Sequence, residues 1–256
     1  MALIQCRFFS EVLGLSTSMT VILPQPHSSL GKEGAAFAPR KYPTLYLLHG
    51  LSDDDTIWLR RTSIERYVEA LDLAVIMPQV HRSFYVDMVH GGKYWTFLSE
   101  ELPRLAQAFF PLSGCREDTF VAGLSMGGYG ALKWALRHPE RFAAAASLSG
   151  GVNRARMALN PNRDFKLVYG DNRVFGTEND LFWLLKNCHL SADQKPNLFL
   201  ACGTEDFAYD DNVLFRDACR QSGFDYVWVD GPGSHEWSYW DAMIQQVVTW
   251  LPLPNR

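Results

Sequence analysis

Cysteine is scarce and unpatterned in this 256-residue chain. Cys6, Cys115, Cys188, Cys202 and Cys219 are odd in number, widely spaced and without a C-x-x-C pair, which excludes a disulfide framework and points to reduced core thiols. Cys188 and His189 are the one place where two metal-ligand types adjoin. No second pair stands at ligand spacing, so neither a structural nor a catalytic metal is expected. Charge of one sign is lacking too. With 24 Lys and Arg against 28 Asp and Glu the net charge is −4, so no broad basic field exists to take nucleic acid or an anionic membrane as principal partner. Nor do the first residues hold a long apolar run. Gln5, Arg7 and Glu11 break the stretch from Met1 to Gly14, which reads as neither a signal peptide nor a spanning helix. The expectation is a cytoplasmic protein acting on a small molecule, with homo-oligomerisation left open.

What is present is enough to fill a large core: 47% hydrophobic residues, with 13% aromatics. One domain over residues 1–256 is expected. Ile4 to Phe9 and Ser18 to Leu23, joined at Gly14, read as an antiparallel edge hairpin, and Pro24 to Pro43 as a surface connection. From there strand-like and helix-like runs alternate. Thr44 to Leu48, Leu73 to Met77, Thr119 to Ala122, Phe142 to Leu148, Asn197 to Cys202 and Asp225 to Val229 read as strands. Thr62 to Leu71, Tyr94 to Phe110, Tyr129 to His138, Asn212 to Gln221 and Trp237 to Trp250 read as helices. The pattern predicts a doubly wound α/β fold: a mostly parallel central sheet with an antiparallel N-terminal edge hairpin and helices on both faces. Residues 151–196 break the rhythm and read as an insertion, either a partial lid over the crevice or a peripheral packing helix.

The segment Gly123-Leu124-Ser125-Met126-Gly127-Gly128 stands between a strand and a helix and has the form of a nucleophile elbow. G-x-S-x-G alone arises by chance roughly one time in ten in a chain of this length; the β-branched run before it and the helical spacing after it strengthen it. A serine hydroxyl is barely ionised at neutral pH and needs a base. In α/β-hydrolases the chain order is nucleophile, acid, histidine, each at the carboxyl edge of the sheet. His235, in Gly231-Pro232-Gly233-Ser234-His235, satisfies that order. Asp206, one tight turn beyond the strand ending at Cys202, is the leading acid; Glu205, Asp210 and Asp211 are rivals, the last two better placed as charges opening the next helix. Backbone N–H groups of Leu51 and Met126 are the expected oxyanion donors. His49 reads as a loop-fixing residue rather than a second base. Trp58, Tyr129, Phe207 and Trp237 would narrow an acyl pocket, or else belong to the core.

Together Leu47-Leu48-His49-Gly50-Leu51, the run GLSMGGYGAL from Gly123 to Leu132, Cys202-Gly203-Thr204-Glu205-Asp206-Phe207 and Ser234-His235-Glu236-Trp237 resemble the esterase D-like α/β-hydrolases. Trp58-Leu59-Arg60-Arg61-Thr62 and His235-Glu236-Trp237-Ser238-Tyr239-Trp240 are most similar to its bacterial tributyrin esterase/acetylesterase branch. The resemblance implies an α/β-hydrolase fold and a cofactor-free serine carboxylesterase for short acyl esters. It also implies Ser125, Asp206 and His235 as triad, with the Leu51 and Met126 amides as oxyanion hole. S-formylglutathione hydrolases of the group usually read GHSMGGHGA, where this chain has Leu124 and Tyr129. Alternatives are such a hydrolase, a carbohydrate esterase removing acetyl or feruloyl groups, or a catalytically silent hydrolase-fold binding protein.

Overall fold

A computed structural model describes residues 1–25, 40–159 and 161–253. The expected surface connection from Pro24 to Pro43 therefore lies largely outside the described residues. Eight strands form one sheet in the order β1-β2-β4-β3-β5-β6-β7-β8. They are β1 (Ala2–Ser10), β2 (Leu15–Leu23), β3 (Thr44–Leu48), β4 (Ala74–Pro78), β5 (Thr119–Leu124), β6 (Ala144–Leu148), β7 (Asn197–Gly203) and β8 (Tyr226–Gly231). The first two pair antiparallel across a turn in which the Gly14 N–H donates to Ser10 O, and β2 runs antiparallel to β4. Every later pairing is parallel. β3, β4 and β6 are buried throughout, so their continuous apolar runs are what a sheet covered on both faces requires.

The chain winds outward from β3 to β4, then returns to lay β5 on the other side of β3. The order reverses between β3 and β5, which makes their carboxyl ends the switch point where ligands bind in open α/β sheets. Parallel register brings Leu48 beside Gly123 and Gly123 beside Ser147, so the loops that follow these strands leave the sheet at one level.

Helices cover both faces. One face carries α1 (Ile57–Arg61), α2 (Ile64–Val68) and the C-terminal helix Trp237–Trp250 over a core containing Leu45, Val75, Phe120 and Ile244. The other is covered by α3 (Tyr94–Thr96), α4 (Leu102–Phe109), α5 (Met126–Arg137) and, from the 151–196 segment, α6 (Arg154–Met157), α7 (Arg163–Tyr169) and α8 (Leu181–Lys186), followed by α9 (Tyr209–Gln221). The C-terminal helix is α10. Its bounds coincide with those expected, and α9 begins three residues earlier than expected because Ala208 accepts from the Asn212 side chain at its start. The helix expected from Thr62 to Leu71 is reduced to α2. The helix from Tyr94 is continuous to Phe109 but passes through a π turn at Phe97–Glu101. Pro103 has no N–H to offer the carbonyl of Ser99, which accepts from the Arg141 guanidinium instead.

The segment 151–196 is tied down. α8 packs on α5 and α9, Tyr129 Oη donates to Asn179 O at 2.9 Å, and the N–H groups of Val89 and His90 donate to the carbonyls of Val168 and Leu167. Under α5 lies Trp134, without accessible surface, its ring 5.0 Å from those of both Tyr46 and Phe142. Its indole N–H is buried with no acceptor among the described residues. Trp134→Ala is expected to cost about 3–5 kcal/mol in urea unfolding, whereas Trp134→Phe, which removes a donor that has no partner, costs much less.

Candidate active site

Three strand ends and one helix N-terminus build the site. β5 turns into α5 at Ser125, whose φ of 51° and ψ of −113° are unfavourable for a residue with a side chain by about 1–3 kcal/mol. Its N–H donates to Leu148 O at 2.9 Å, and its carbonyl accepts from Gly151 N–H at 3.0 Å and Tyr129 N–H at 3.2 Å. So tight a turn admits no Cβ on either side. One on Gly123 would stand 2.4 Å from the Gly127 carbonyl, and one on Gly127 would stand 2.4 Å from Leu48 O.

His235 arrives on the turn between β8 and α10. Its Nε2 lies 2.9 Å from Ser125 Oγ, and its Nδ1 lies 2.9 Å from Asp206 Oδ2 and 3.0 Å from Oδ1. Asp206 follows β7 in the tight turn expected of it, its N–H on Gly203 O. Burial pushes its carboxyl pKa up, but hydrogen bonds from His235, the Ala208 N–H and Ser149 more than offset this and hold it below the usual carboxylate range. An ionised Asp206 on Nδ1 selects the tautomer in which Nε2 is free to accept the Ser125 proton.

The rival acids are engaged elsewhere. Glu205 accepts from Gly233 N–H, and its own N–H donates to Gly233 O, so it clamps the loop that carries His235. Asp210 and Asp211 open α9, and Asp211 accepts from Asn153 Nδ2 and Arg156 Nη1, both at 3.0 Å. Leu51 and Met126 each stand three residues beyond the paired positions Leu48 and Gly123. Neither amide donates to a carbonyl among the described residues.

Of the four aromatics expected at an acyl pocket or in the core, two are packed in the core. Trp58 and Tyr129 are both 0% exposed. Trp58 directs its indole N–H to Leu48 O at 3.1 Å, and the Tyr129 hydroxyl is the one that reaches Asn179. Apolar rings with one polar tip are packed here as core, each tip fixing a backbone carbonyl. Phe207 is 82% exposed, its ring 4.4 Å from that of His235. Trp237 is half-buried, edge-on to both Trp58 and Trp240.

Sequence reasoning missed Ser149 and Trp240. Ser149, at the end of β6 with φ 48°, is buried beside Asp206 and accepts from Trp240 Nε1 at 3.1 Å; the Trp240 ring stands perpendicular to His235 at 4.9 Å. Trp240 falls within a motif already singled out, but nothing in Leu148-Ser149-Gly150 marks the serine.

His49 is held at both nitrogens: Nδ1 donates to Gly50 O at 2.7 Å, and Nε2 accepts from Val80 N–H at 3.1 Å. This is the neutral ring, and burial lowers its pKa from the ordinary 6.5 to about 4. Between those values the unfolded chain binds a proton that the folded one does not, so stability contributed by His49 is present above pH 6.5 and lost as pH falls toward 4. Urea unfolding should show this group removing about 2 kcal/mol from the wild type between pH 7 and pH 5. His49→Gln is less stable at pH 7, and its deficit narrows by about that amount at pH 5.

The chain resembles known esterases over nearly its whole length. The family model "Esterase: Putative esterase" matches residues 10–251. The acetyl esterase of Caldicellulosiruptor saccharolyticus is 29% identical, with 98% of each chain covered. Two solved Staphylococcus aureus structures are each 38% identical, with 98% of each chain covered. These are the fluorophosphonate-binding serine hydrolase FphF, substrate bound, with a TM-score of 0.88, and the S-formylglutathione hydrolase FrmB, apoenzyme, at 0.86. With its sheet order, this places the chain in the esterase family, as a carboxylic ester hydrolase of the α/β-hydrolase fold.

Proposed function

We propose that the protein hydrolyses short-chain acyl esters through Ser125, His235 and Asp206, by way of an acyl-enzyme. The observation that carries this reading is the unbroken hydrogen-bonded line from Asp206 through both nitrogens of His235 to Ser125 Oγ, each link at 2.9 Å. His235 takes the hydroxyl proton as Oγ attacks the ester carbonyl. The oxyanion that forms is met by the amides of Leu51 and Met126, donors worth about 3–4 kcal/mol of barrier each. His235 then returns the proton to the leaving alcohol. Water enters on the same side, is deprotonated by His235 and releases the acid. Asp206 keeps the imidazole in place and stabilises its charged form. No step calls for a cofactor. The short acyl group is favoured by the likeness to the acetyl esterase. A thioester substrate is the second reading, favoured by the 38% identity with the S-formylglutathione hydrolase.

A fluorophosphonate should label Ser125 in the native protein, and Ser125→Ala should lose both labelling and ester turnover. Retained turnover would assign the nucleophile elsewhere. Asp206→Asn, which favours the wrong tautomer, is expected to lower kcat about ten-thousandfold. In a panel of p-nitrophenyl esters with tributyrin, acetylated sugar, methyl ferulate and S-formylglutathione, acetyl and butyryl esters should give the highest kcat/KM. A maximum at long acyl chains would contradict the reading, and one at S-formylglutathione would select the second.

A further inference from the structure

Near Ser125 lies a buried cation that has no anion among the described residues. Arg154, at the start of α6, is 4% exposed, and the charged or ionisable groups that bear on it are the hydroxyls of Tyr169 and Tyr129 rather than any carboxylate. Its guanidinium stacks over the rings of Phe84 and Tyr129, 4.4 and 4.8 Å from their centroids. Nη1 donates to Met157 Sδ, and Nε is buried without an acceptor. A buried charge left unpaired is costly, and two aromatic faces offset part of that cost. Lys133, another buried cation of this face, is different: its Nζ donates to Tyr85 O at 2.9 Å.

With two rings against the guanidinium and Nη1 engaged, the edge formed by Nε and Nη2 has no hydrogen-bond partner among the described residues. That fork receives a carboxylate through two parallel hydrogen bonds. Gly151 lets the guanidinium lie against the elbow, since a Cβ there would stand 2.7 Å from Nη2, and the Gly151 N–H is the group bonded to Ser125 O. The free edge is therefore one peptide removed from the proposed nucleophile.

Direction follows from proton transfer. His235 must reach the leaving oxygen, so the alcohol lies on its side, against Trp240 and the α10 face of the sheet. Phe84 and Tyr129, which hold Arg154, belong to the opposite face. The acyl chain, leaving the carbonyl carbon away from the alcohol, runs toward them. We propose that Arg154 is an acyl-specificity residue whose Nε and Nη2 bind the terminal carboxylate of a short dicarboxylic half-ester. This deepens the esterase reading and rests on it.

The test compares isosteres with one leaving group: the monomethyl esters of succinate, glutarate and adipate against methyl butyrate, valerate and hexanoate, with methanol release followed on the purified protein. A charge-assisted pair predicts that at least one half-ester exceeds its neutral isostere in kcat/KM by about ten- to a hundredfold. In Arg154→Met that ratio falls to near one, and Arg154→Lys, a point charge without the fork, restores part of it. The wild-type ratio decides the matter even where a variant fails to fold. Turnover of neutral esters with no half-ester preferred overturns the assignment and leaves the esterase reading intact. A preference that survives in Arg154→Met also overturns it. No turnover of any ester would remove both.

Discussion

The site depends on one close backbone approach, where the first turn of α5 lies against the end of β3. A Cβ on Gly127 would meet both Leu48 O and His49 O, so these two carbonyls form the surface on which the elbow sits. Each is anchored by a buried aromatic donor from a different face of the sheet. Trp58 Nε1 holds Leu48 O from the α10 face, and Tyr85 Oη holds His49 O at 2.8 Å from the α5 face. Tyr85 is itself in a left-handed conformation, with φ 54°, and Lys133 Nζ fixes its carbonyl. Strain at Ser125 persists because its surroundings over-determine it. The same anchors set the loop after β3 that carries Leu51, so the elbow and that loop are positioned as one unit.

Two histidines at this edge are driven to opposite uses by their surroundings. His49 is sealed from water, bonded at both nitrogens to backbone, and kept neutral by burial. It joins β3 to the loop after β4 and has no proton to move. His235 keeps part of its ring open, has a carboxylate on Nδ1, and faces a hydroxyl with Nε2. Nothing in the ring distinguishes the two. The difference is the partner on Nδ1: a carbonyl in one case, an ionised acid in the other.

Much of this was legible in the chain. Strand runs, the Gly-x-Ser-x-Gly spacing and the order of Ser125, Asp206 and His235 are local patterns, and the structure brings those three side chains together across 110 residues. The aromatics were harder to read. Trp58 and Tyr129 are amphipathic, and whether such a ring lines a pocket or caps a carbonyl depends on neighbours in other elements, Leu48 and Asn179. Ser149 was invisible for a related reason. A serine at a strand end carries no signal until the strands are in register and Asp206 and Trp240 close on it. The π turn was legible in principle, since Pro103 deprives the Ser99 carbonyl of a donor, but the compensating Arg141 comes from 42 residues away.

The segment 151–196 carries the remaining constraint on how substrate reaches Ser125. Lifting it as a whole would expose Phe165, Val168, Tyr169, Leu181 and Leu185, all buried, at a cost on the order of 10 kcal/mol. It would also break the Tyr129 to Asn179 bond and the paired hydrogen bonds between Arg82 and Asp164. A step that costly would dominate any turnover, so α7 and α8 stay seated during catalysis. The short stretch around α6 ends near the exposed Leu159 and is held by Asn153 and Arg156 to Asp211. Those two bonds are partly solvent-exposed and contribute little. Arg154 lies between them and is buried against Phe84 and Tyr129, so the residue proposed to meet the acyl carboxylate ties α6 to the same core that seats α7 and α8.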